Sequence, residues 1–348
     1  MSFSRGIIYS ALREYADTVS YRFHTPGHKG EYSALDITEI GIHGEIFPAD
    51  CIERAERETA KLYGAQSVRY LTGGSSMGIK AALLRFKGKK VLYAEGAHRA
   101  FSEGCELADI RAVCLNGEDG YSGTVFCGCD SLPPPATLEG VESALNAHPD
   151  AAAVYITSPD YLGRTADIRI AELCRRRGVK LIADAAHGAH FAFAPGLREY
   201  GFERAADYAN MSAHKTLGAY TQSALITVND CEGGDIDREL RLLGTTSPNY
   251  EMLARLECSV VEASGAGEQY ERLKRFTQSL PSELRLKNTD YTRLCVPHKD
   301  PKRLYAELYR RGIVPEAVID KFVVFILTPQ DGEEKTAKLY KELTRILS

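Results

Sequence analysis

The sequence lacks any apolar run approaching the roughly 18–20 residues that a bilayer-spanning helix needs. Its first six residues, Met1 to Gly6, also lack the apolar stretch of a signal peptide. Neither sign of charge dominates, since 43 lysines and arginines face 47 aspartates and glutamates for a net charge of -4. That balance gives no reason to expect nucleic acid or an anionic membrane as a partner. No repeat and no compositionally biased tract is present. The nine cysteines are odd in number and have no disulfide-like spacing, so they read as reduced and mostly buried small residues. The one close pair, Cys127 and Cys129, lacks two further ligands at matching spacing, and no metal site is expected. These absences leave a cytoplasmic globular protein as the expectation.

What is present is a regular alternation of strand and helix patterns. Residues 5–18 read as an amphipathic helix, and the loop around His24, Pro26, Gly27, His28 and Lys29 as turn chemistry. Residues 51–63 read as a helix ending at Gly64, and 67–71 as a strand. The turn Gly73-Gly74-Ser75-Ser76 then opens a helix running to about residue 86. Strands follow at 91–94, 110–115, 151–157 and 179–183, with helices at 101–108, after the cap Thr137, and at 168–177. Segments 206–211 and 223–228 read as short buried strands. A long helix is expected to start at Thr245, Thr246, Ser247 and Pro248 and to reach about residue 263, followed by another at 268–278. From residue 292 the order is strand, helix, strand, strand, helix.

Such βα alternation implies an α/β fold with a mostly parallel sheet covered by helices on both faces, followed by a small C-terminal α+β domain. At 348 residues the chain exceeds what one core organises. The expected division is 1–35 (N-terminal helix and active-site loop), 36–265 (large domain) and 266–348 (small domain). In parallel sheets ligands bind beyond the carboxyl ends of the strands, where Ser75, His98, Ser158 and Asp184 all fall.

Three features at those ends belong to one chemistry. Lys215 sits in a tight connection between two buried strands, a setting that lowers an amine's pKa and makes it nucleophilic toward a carbonyl. Asp184 ends an apolar strand, and a carboxylate placed there needs a cationic partner. The glycine- and serine-rich turn at a helix N-terminus suits a phosphate. A Schiff-base lysine, an acid partner for a pyridine nitrogen and a phosphate cup together imply pyridoxal 5′-phosphate (PLP).

The strings Phe23-His24-Thr25-Pro26-Gly27-His28-Lys29-Gly30, Gly74-Ser75-Ser76-Met77-Gly78, Ser158-Pro159-Asp160-Tyr161, Asp184 with His187-Gly188-Ala189-His190, and Ser212-Ala213-His214-Lys215-Thr216-Leu217 occur in that order. With them the chain resembles the ornithine/lysine/arginine decarboxylase family, PLP enzymes of fold type I with an aminotransferase-like architecture. The resemblance implies that Lys215 carries the cofactor and that Asp184 pairs with its ring nitrogen. Gly74, Ser75, Ser76, Ser212 and His214 would bind the phosphate, His98 would stack on the ring, and His187 would lie near the phenolic oxygen. Ser158 joins the implied cofactor set, and His24, His28 and Lys29 are implied on the substrate side. Thr246 and Ser247 resemble a stretch that reaches a neighbouring subunit's cofactor, which implies a homodimer with shared active sites.

The implied reaction converts a basic amino acid to its amine and CO2, with Lys215 or His98 returning a proton. Glu39, Glu45 and Glu316 are candidates to grip a basic side chain. The resemblance implies a short form without the further C-terminal domain of longer members. Another fold type I reaction, aminotransferase or lyase, and a non-catalytic PLP-binding relative are the alternatives. An aminotransferase would need an arginine on the substrate carboxylate, for which only Arg293 and Arg303, remote in sequence, are candidates.

Overall fold

The structure, a computed structural model, describes residues 6–38, 40–42, 45–47, 49–116, 132–230 and 236–347. Glu39, the side chain of Glu45 and the Cys127/Cys129 pair lie outside the described residues. Helix α1 (Ile7–Thr18) leads through a long loop to the hairpin β1 (Ile40–Ile42) and β2 (Glu45–Phe47), then α2 (Ala49–Tyr63). A run of alternating elements follows: β3 (Ser67–Leu71), α3 (Gly74–Leu84), β4 (Lys90–Tyr93), α4 (Arg99–Leu107), β5 (Arg111–Cys114), α5 (Leu138–Ala147), β6 (Ala151–Thr157), α6 (Ile170–Arg176) and β7 (Lys180–Asp184). Next come β8 (Tyr208–Met211), the single turn α7 (Ala213–Thr216), β9 (Ala224–Val228), α8 (Asp237–Leu243), α9 (Tyr250–Ser264) and α10 (Gly267–Ser279). The last elements are β10 (Arg293–Pro297), α11 (Pro301–Arg310), β11 (Ala317–Ile319), β12 (Phe322–Ile326) and α12 (Glu333–Leu347).

Seven strands form one sheet in the order β3-β9-β8-β7-β6-β4-β5, with parallel pairing from β8 through to β5 and only β9 running antiparallel to its neighbours. Strands β6, β7 and β8 are buried on both faces and mostly apolar because helices cover both, as a doubly covered parallel sheet requires. A second sheet, β10-β12-β11, is antiparallel and packs its inner face on α11 and α12 through Leu304, Leu308, Leu339 and Leu343. Among the described residues no helix is long and apolar enough to cross a membrane.

Three expectations about local structure need correction. The long helix begins at Tyr250 rather than near Thr245, because the Asn249 side chain accepts from Met252 N at 2.8 Å and caps it there. The short α8 was not foreseen, and neither was the β1–β2 hairpin. The tight connection expected to carry Lys215 between β8 and β9 takes the form of the one-turn helix α7. Elsewhere the caps fall where the side chains dictate, as at Thr137, whose hydroxyl accepts from Gly140 N at 3.1 Å.

Helix α1 belongs to the large unit's core. Ile8, Leu12 and Tyr15 recur at helical spacing and pack with Leu253, Leu256 and Val260 of α9. The carboxylate of Glu257 on α9 accepts from the free N–H groups of Ile7 (2.6 Å) and Ile8 (2.8 Å), capping α1 from across the interface. Helix α3 lies unusually close to the sheet at Gly78. A Cβ there would overlap Asn210 Oδ1 and stand 2.8 Å from Leu71 Cδ1.

Gly78→Ala therefore gains helix propensity but forces α3 off the sheet, and the second effect wins. We expect a net loss of about 1–2 kcal/mol in thermal or urea unfolding. Gly267→Ala, where nothing lies within 4 Å of the added carbon, serves as the control and should leave stability unchanged or slightly raised.

Candidate active site

The sheet delivers the site. Parallel strands β4, β6, β7 and β8 end on one side, and the segments leaving them line a cavity of about 320 Å³. Gly74, Ser75 and Ser76 enter from the start of α3, His98 from the loop after β4, Asp184 and His187 from the end of β7, and Ser212, His214 and Lys215 from the turn after β8. Leu132 and the three prolines Pro133, Pro134 and Pro135 wall the opposite side with apolar surface.

Each group is held by identifiable partners. Asp184 is 3% exposed, and Tyr155, one strand over on β6, donates its hydroxyl to Oδ2 at 3.1 Å while Ala186 N donates to Oδ1 at 3.1 Å. Each carboxylate oxygen has a second lone pair, so the pair of bonds orients Asp184 without using up its acceptor capacity. Ser212 Oγ donates to Ser75 Oγ at 2.8 Å, tying the lysine turn to the start of α3. His214 N and Nδ1 both contact Ser223 O, at 3.2 Å and 2.9 Å. Gly74 N donates to Gln222 O at 2.9 Å, which requires two left-handed residues, Gly74 (φ +71°) and, against ordinary preference, Gln222 (φ +77°). Strained backbone of this kind concentrates at functional sites.

The electrostatics centre on Lys215. Its Nζ lies 3.2 Å from His187 Nε2, and desolvation lowers its pKa, opposed by the carboxylate of Asp184 and reinforced by Arg293. His187 is lowered well below the usual histidine range by burial and by the nearby Lys215 and Arg293. His98 caps α4 by accepting from Ala100 N at 3.1 Å, and its pKa is also lowered, first by desolvation and then by Lys215 and Arg99 against the pull of Asp184. Tyr161 packs edge-on to His187 with ring centroids 4.5 Å apart and donates to Glu316 Oε1 at 2.6 Å, so the small C-terminal unit reaches the rim of the cavity.

Not every residue singled out from the sequence converges here. Ser158 lies at the end of β6 but its hydroxyl is turned to Ala166 N, 3.1 Å away, and does not line the cavity. His24, His28 and Lys29 lie outside it, in a loop where His24 bonds Tyr15, His28 bonds Asp36 at 3.0 Å and Lys29 donates to His24 O. Thr246 and Ser247 are exposed and also lie outside it. Conversely, Tyr155 touches a site residue without having been expected there, and Arg293, considered only as a carboxylate grip for an aminotransferase, contacts His187. Tyr155 was legible as the aromatic hydroxyl in a strand otherwise aliphatic up to Thr157, and Arg293 as a cation at the head of an apolar one. Arg293 Nη2 is 3.0 Å from His187 Nδ1, whereas Arg303 is exposed on α11.

The architecture is that of the fold type I PLP enzymes: a mostly parallel seven-stranded sheet clad in helices, with a lysine and an aspartate at its carboxyl ends. Residues 34–290 match the family described as Orn/Lys/Arg decarboxylase, major domain, and the chain belongs to that family. It is 28% identical over 273 residues to an arginine decarboxylase of Halalkalibacterium halodurans, covering 72% of this chain and 54% of the relative. It is 27% identical over 301 residues to an uncharacterized protein of Bacillus subtilis, covering 79% and 61%. The chain thus spans little more than half the length of these curated relatives. Among solved structures, the lysine decarboxylase of Francisella novicida superposes with a TM-score of 0.75 at 16% identity, over 98% of this chain and 59% of that one. An SPT structure solved with PLP gives 0.66 at 15% identity, over 99% and 84%. At such identities the likeness speaks for the fold. Family and neighbours both imply PLP as the cofactor.

An N-terminus of an eleven-residue helix carrying two serines should attract a phosphate whatever else binds. Inorganic phosphate is expected to raise the unfolding temperature of the wild-type chain and to do so much less in a Ser75→Val/Ser76→Val variant. Equal shifts in the two proteins would contradict the anion cradle.

Proposed function

We propose that the chain is a PLP-dependent decarboxylase of a basic amino acid, arginine, lysine or ornithine, releasing the corresponding amine and CO2. The observation that carries the reading is the convergence of Lys215, Asp184 and the start of α3 on one cavity. The residues present fit the cofactor. Lys215 has a depressed pKa suited to holding an aldehyde, and Asp184 keeps free lone pairs for a protonated ring nitrogen. Gly74, Ser75, Ser76, Ser212 and His214 provide donors for its phosphate, and His98 and His187 would flank the ring. When bound, the cofactor supplies the sink for the electron pair that the departing CO2 leaves behind.

The chain's own contribution is placement and exclusion. Asp184, fixed by Tyr155 and Ala186, would hold the proton on the ring nitrogen of a bound cofactor. The apolar wall of Leu132 and the three prolines would limit water at the reacting carbon, a setting that favours departure of the substrate carboxylate as neutral CO2. Lys215 or His98 returns a proton to that carbon. Glu316, exposed at the cavity rim and tied to Tyr161, is placed to receive the distal cation of a basic substrate. Exposed aromatics in the N-terminal loop (Tyr21, Phe23 and Tyr32) and the exposed Thr246 and Ser247 support assembly as a homodimer in which each chain completes the other's site.

A second reading has one specific observation in its favour. Arg293 lies beside His187 with Nε and Nη1 unpartnered among the described residues, a geometry suited to gripping a substrate carboxylate for transamination or another lyase reaction. Product analysis separates the two.

With carboxyl-labelled arginine, lysine and ornithine, the PLP-loaded chain should release labelled CO2 from at least one, leaving the amine. Keto acid formation without CO2 would transfer the assignment to the second reading. Glu316→Gln should raise KM for the basic substrate about tenfold with a smaller change in kcat, since one charge-assisted contact of about 1.5 kcal/mol is lost.

A further inference from the structure

We propose that Arg293 is a positioning residue that holds Lys215 in its neutral, nucleophilic form by fixing the tautomer of His187. The inference rests on Lys215 being the residue that takes a carbonyl cofactor, and it deepens that reading. Three side chains stand in a row: Arg293 Nη2 is 3.0 Å from His187 Nδ1, and His187 Nε2 is 3.2 Å from Lys215 Nζ. Arginine only donates and does not lose its proton in a protein. Nδ1 of His187 must therefore accept, which places the imidazole's single proton on Nε2. Nε2–H then donates to Lys215 Nζ, and a nitrogen that accepts needs a lone pair. A neutral imidazole has only one acceptor nitrogen, so two cations cannot both donate to it. Of the two, only lysine can give up its proton.

The arginine has no other evident occupation. It is 1% exposed, Asp290 is the buried carboxylate that feels its charge, and its Nε and Nη1 have no hydrogen-bond partner among the described residues. Its backbone is fixed, with Arg293 N donating to Asp290 O at 3.0 Å and Asn288 Nδ2 donating to Arg293 O at 2.8 Å. Its stem is held against Gly163, where an added Cβ would stand 2.7 Å from Arg293 Cβ. The buried carboxylate of Asp290 faces it without forming an ion pair, and a guanidinium so placed raises the potential at a neighbouring site that would become positive.

The other charges that face Lys215 come from two directions. Asp184, from the end of β7, and Glu316, from before β11, favour the ammonium, while burial and Arg293 oppose it. His187 is faced by Lys215, Arg293, His190 and His98, all of which disfavour the imidazolium. The carboxylates thus pull Lys215 toward its charged form, and the Arg293–His187 pair is the element that offsets them by geometry. The chemical consequence is balanced: a neutral Nζ bonds to an aldehyde carbon, the carbonyl oxygen leaves as water, and no proton need be taken from solvent.

The tautomer can be read directly in the full chain freed of carbonyl ligands, by 15N NMR of the His187 ring near pH 7. Protonation at Nε2 alone is expected; an Nδ1–H tautomer or an imidazolium would overturn the proposal even if no variant folds. Competitive acetylation with acetic anhydride, followed on the Lys215 peptide by mass spectrometry, then gives the titration midpoint of its amine. Arg293→Met frees Nδ1 to hold the proton and lets Nε2 accept from an ammonium, so the midpoint should rise by about 1–2 pH units. Arg293→Lys, which retains a donor that can itself deprotonate, should restore part of the shift.

In a His187→Gln background, Arg293→Met should cause little further change. An equal shift in both backgrounds would show that Arg293 acts on Lys215 by direct repulsion, and no shift in either would remove its role altogether. None of these readouts uses PLP. A chain that fails to bind the cofactor but shows the Nε2–H tautomer and the depressed midpoint would refute the cofactor reading while leaving this one standing.

Discussion

Everything distinctive in this molecule follows from placing one lysine amine where water is scarce. A buried ammonium is expensive to maintain, and the fold resolves the cost by surrounding Lys215 with groups that set its protonation rather than neutralise it. Asp184 supplies negative potential from the end of β7, and His187 with Arg293 supplies an opposing donor chain. The parallel sheet makes this possible, since the strands that carry Asp184 and the turn of Lys215 are hydrogen-bonded neighbours, with Asp184 paired to Asn210 across β7 and β8. No flexible segment intervenes, and the distance between acid and amine is set by the ladder itself.

The same arrangement explains why so much of the site was legible in the sequence. An apolar strand that ends in Asp184, a short loop that leads from β4 to His98, and a glycine–serine turn that opens a helix are local patterns whose geometry is dictated by backbone chemistry. Parallel pairing follows from their alternation with helices. What stayed hidden depends on contacts between distant segments. The direction of β9 was unreadable because a fully buried strand has the same composition whichever way it runs. The long helix starts after Asn249 rather than in the stretch 245–248 because the Asn249 side chain reaches Met252 N, a competition that composition does not decide. Arg293 lies in another unit of the chain, and nothing local announces that β10 carries it to His187.

The small C-terminal unit is therefore more than an appendage. It contacts cavity-lining residues twice, through Arg293 on His187 and through Glu316 on Tyr161. A third junction is fully buried, where His190 of the large sheet side meets Asp290 (3.2 Å) and Thr292 (3.0 Å). Site geometry is thus sensitive to how the two sheets sit together, and mutations in the small unit would be felt at Lys215 without touching it. The family relationship fits this picture: the segment matched as the major domain ends at residue 290, just before β10, so the residue that completes the lysine's environment lies beyond it.

The central claim is that Lys215, and no other lysine of the chain, holds the cofactor's carbonyl carbon. Borohydride reduction of the PLP-loaded chain, followed by peptide mapping, reads this directly. The account predicts a single reduced phosphopyridoxyl group on the peptide containing Lys215. Its appearance on a different lysine, or an unmodified Lys215 in a chain saturated with PLP, would contradict it.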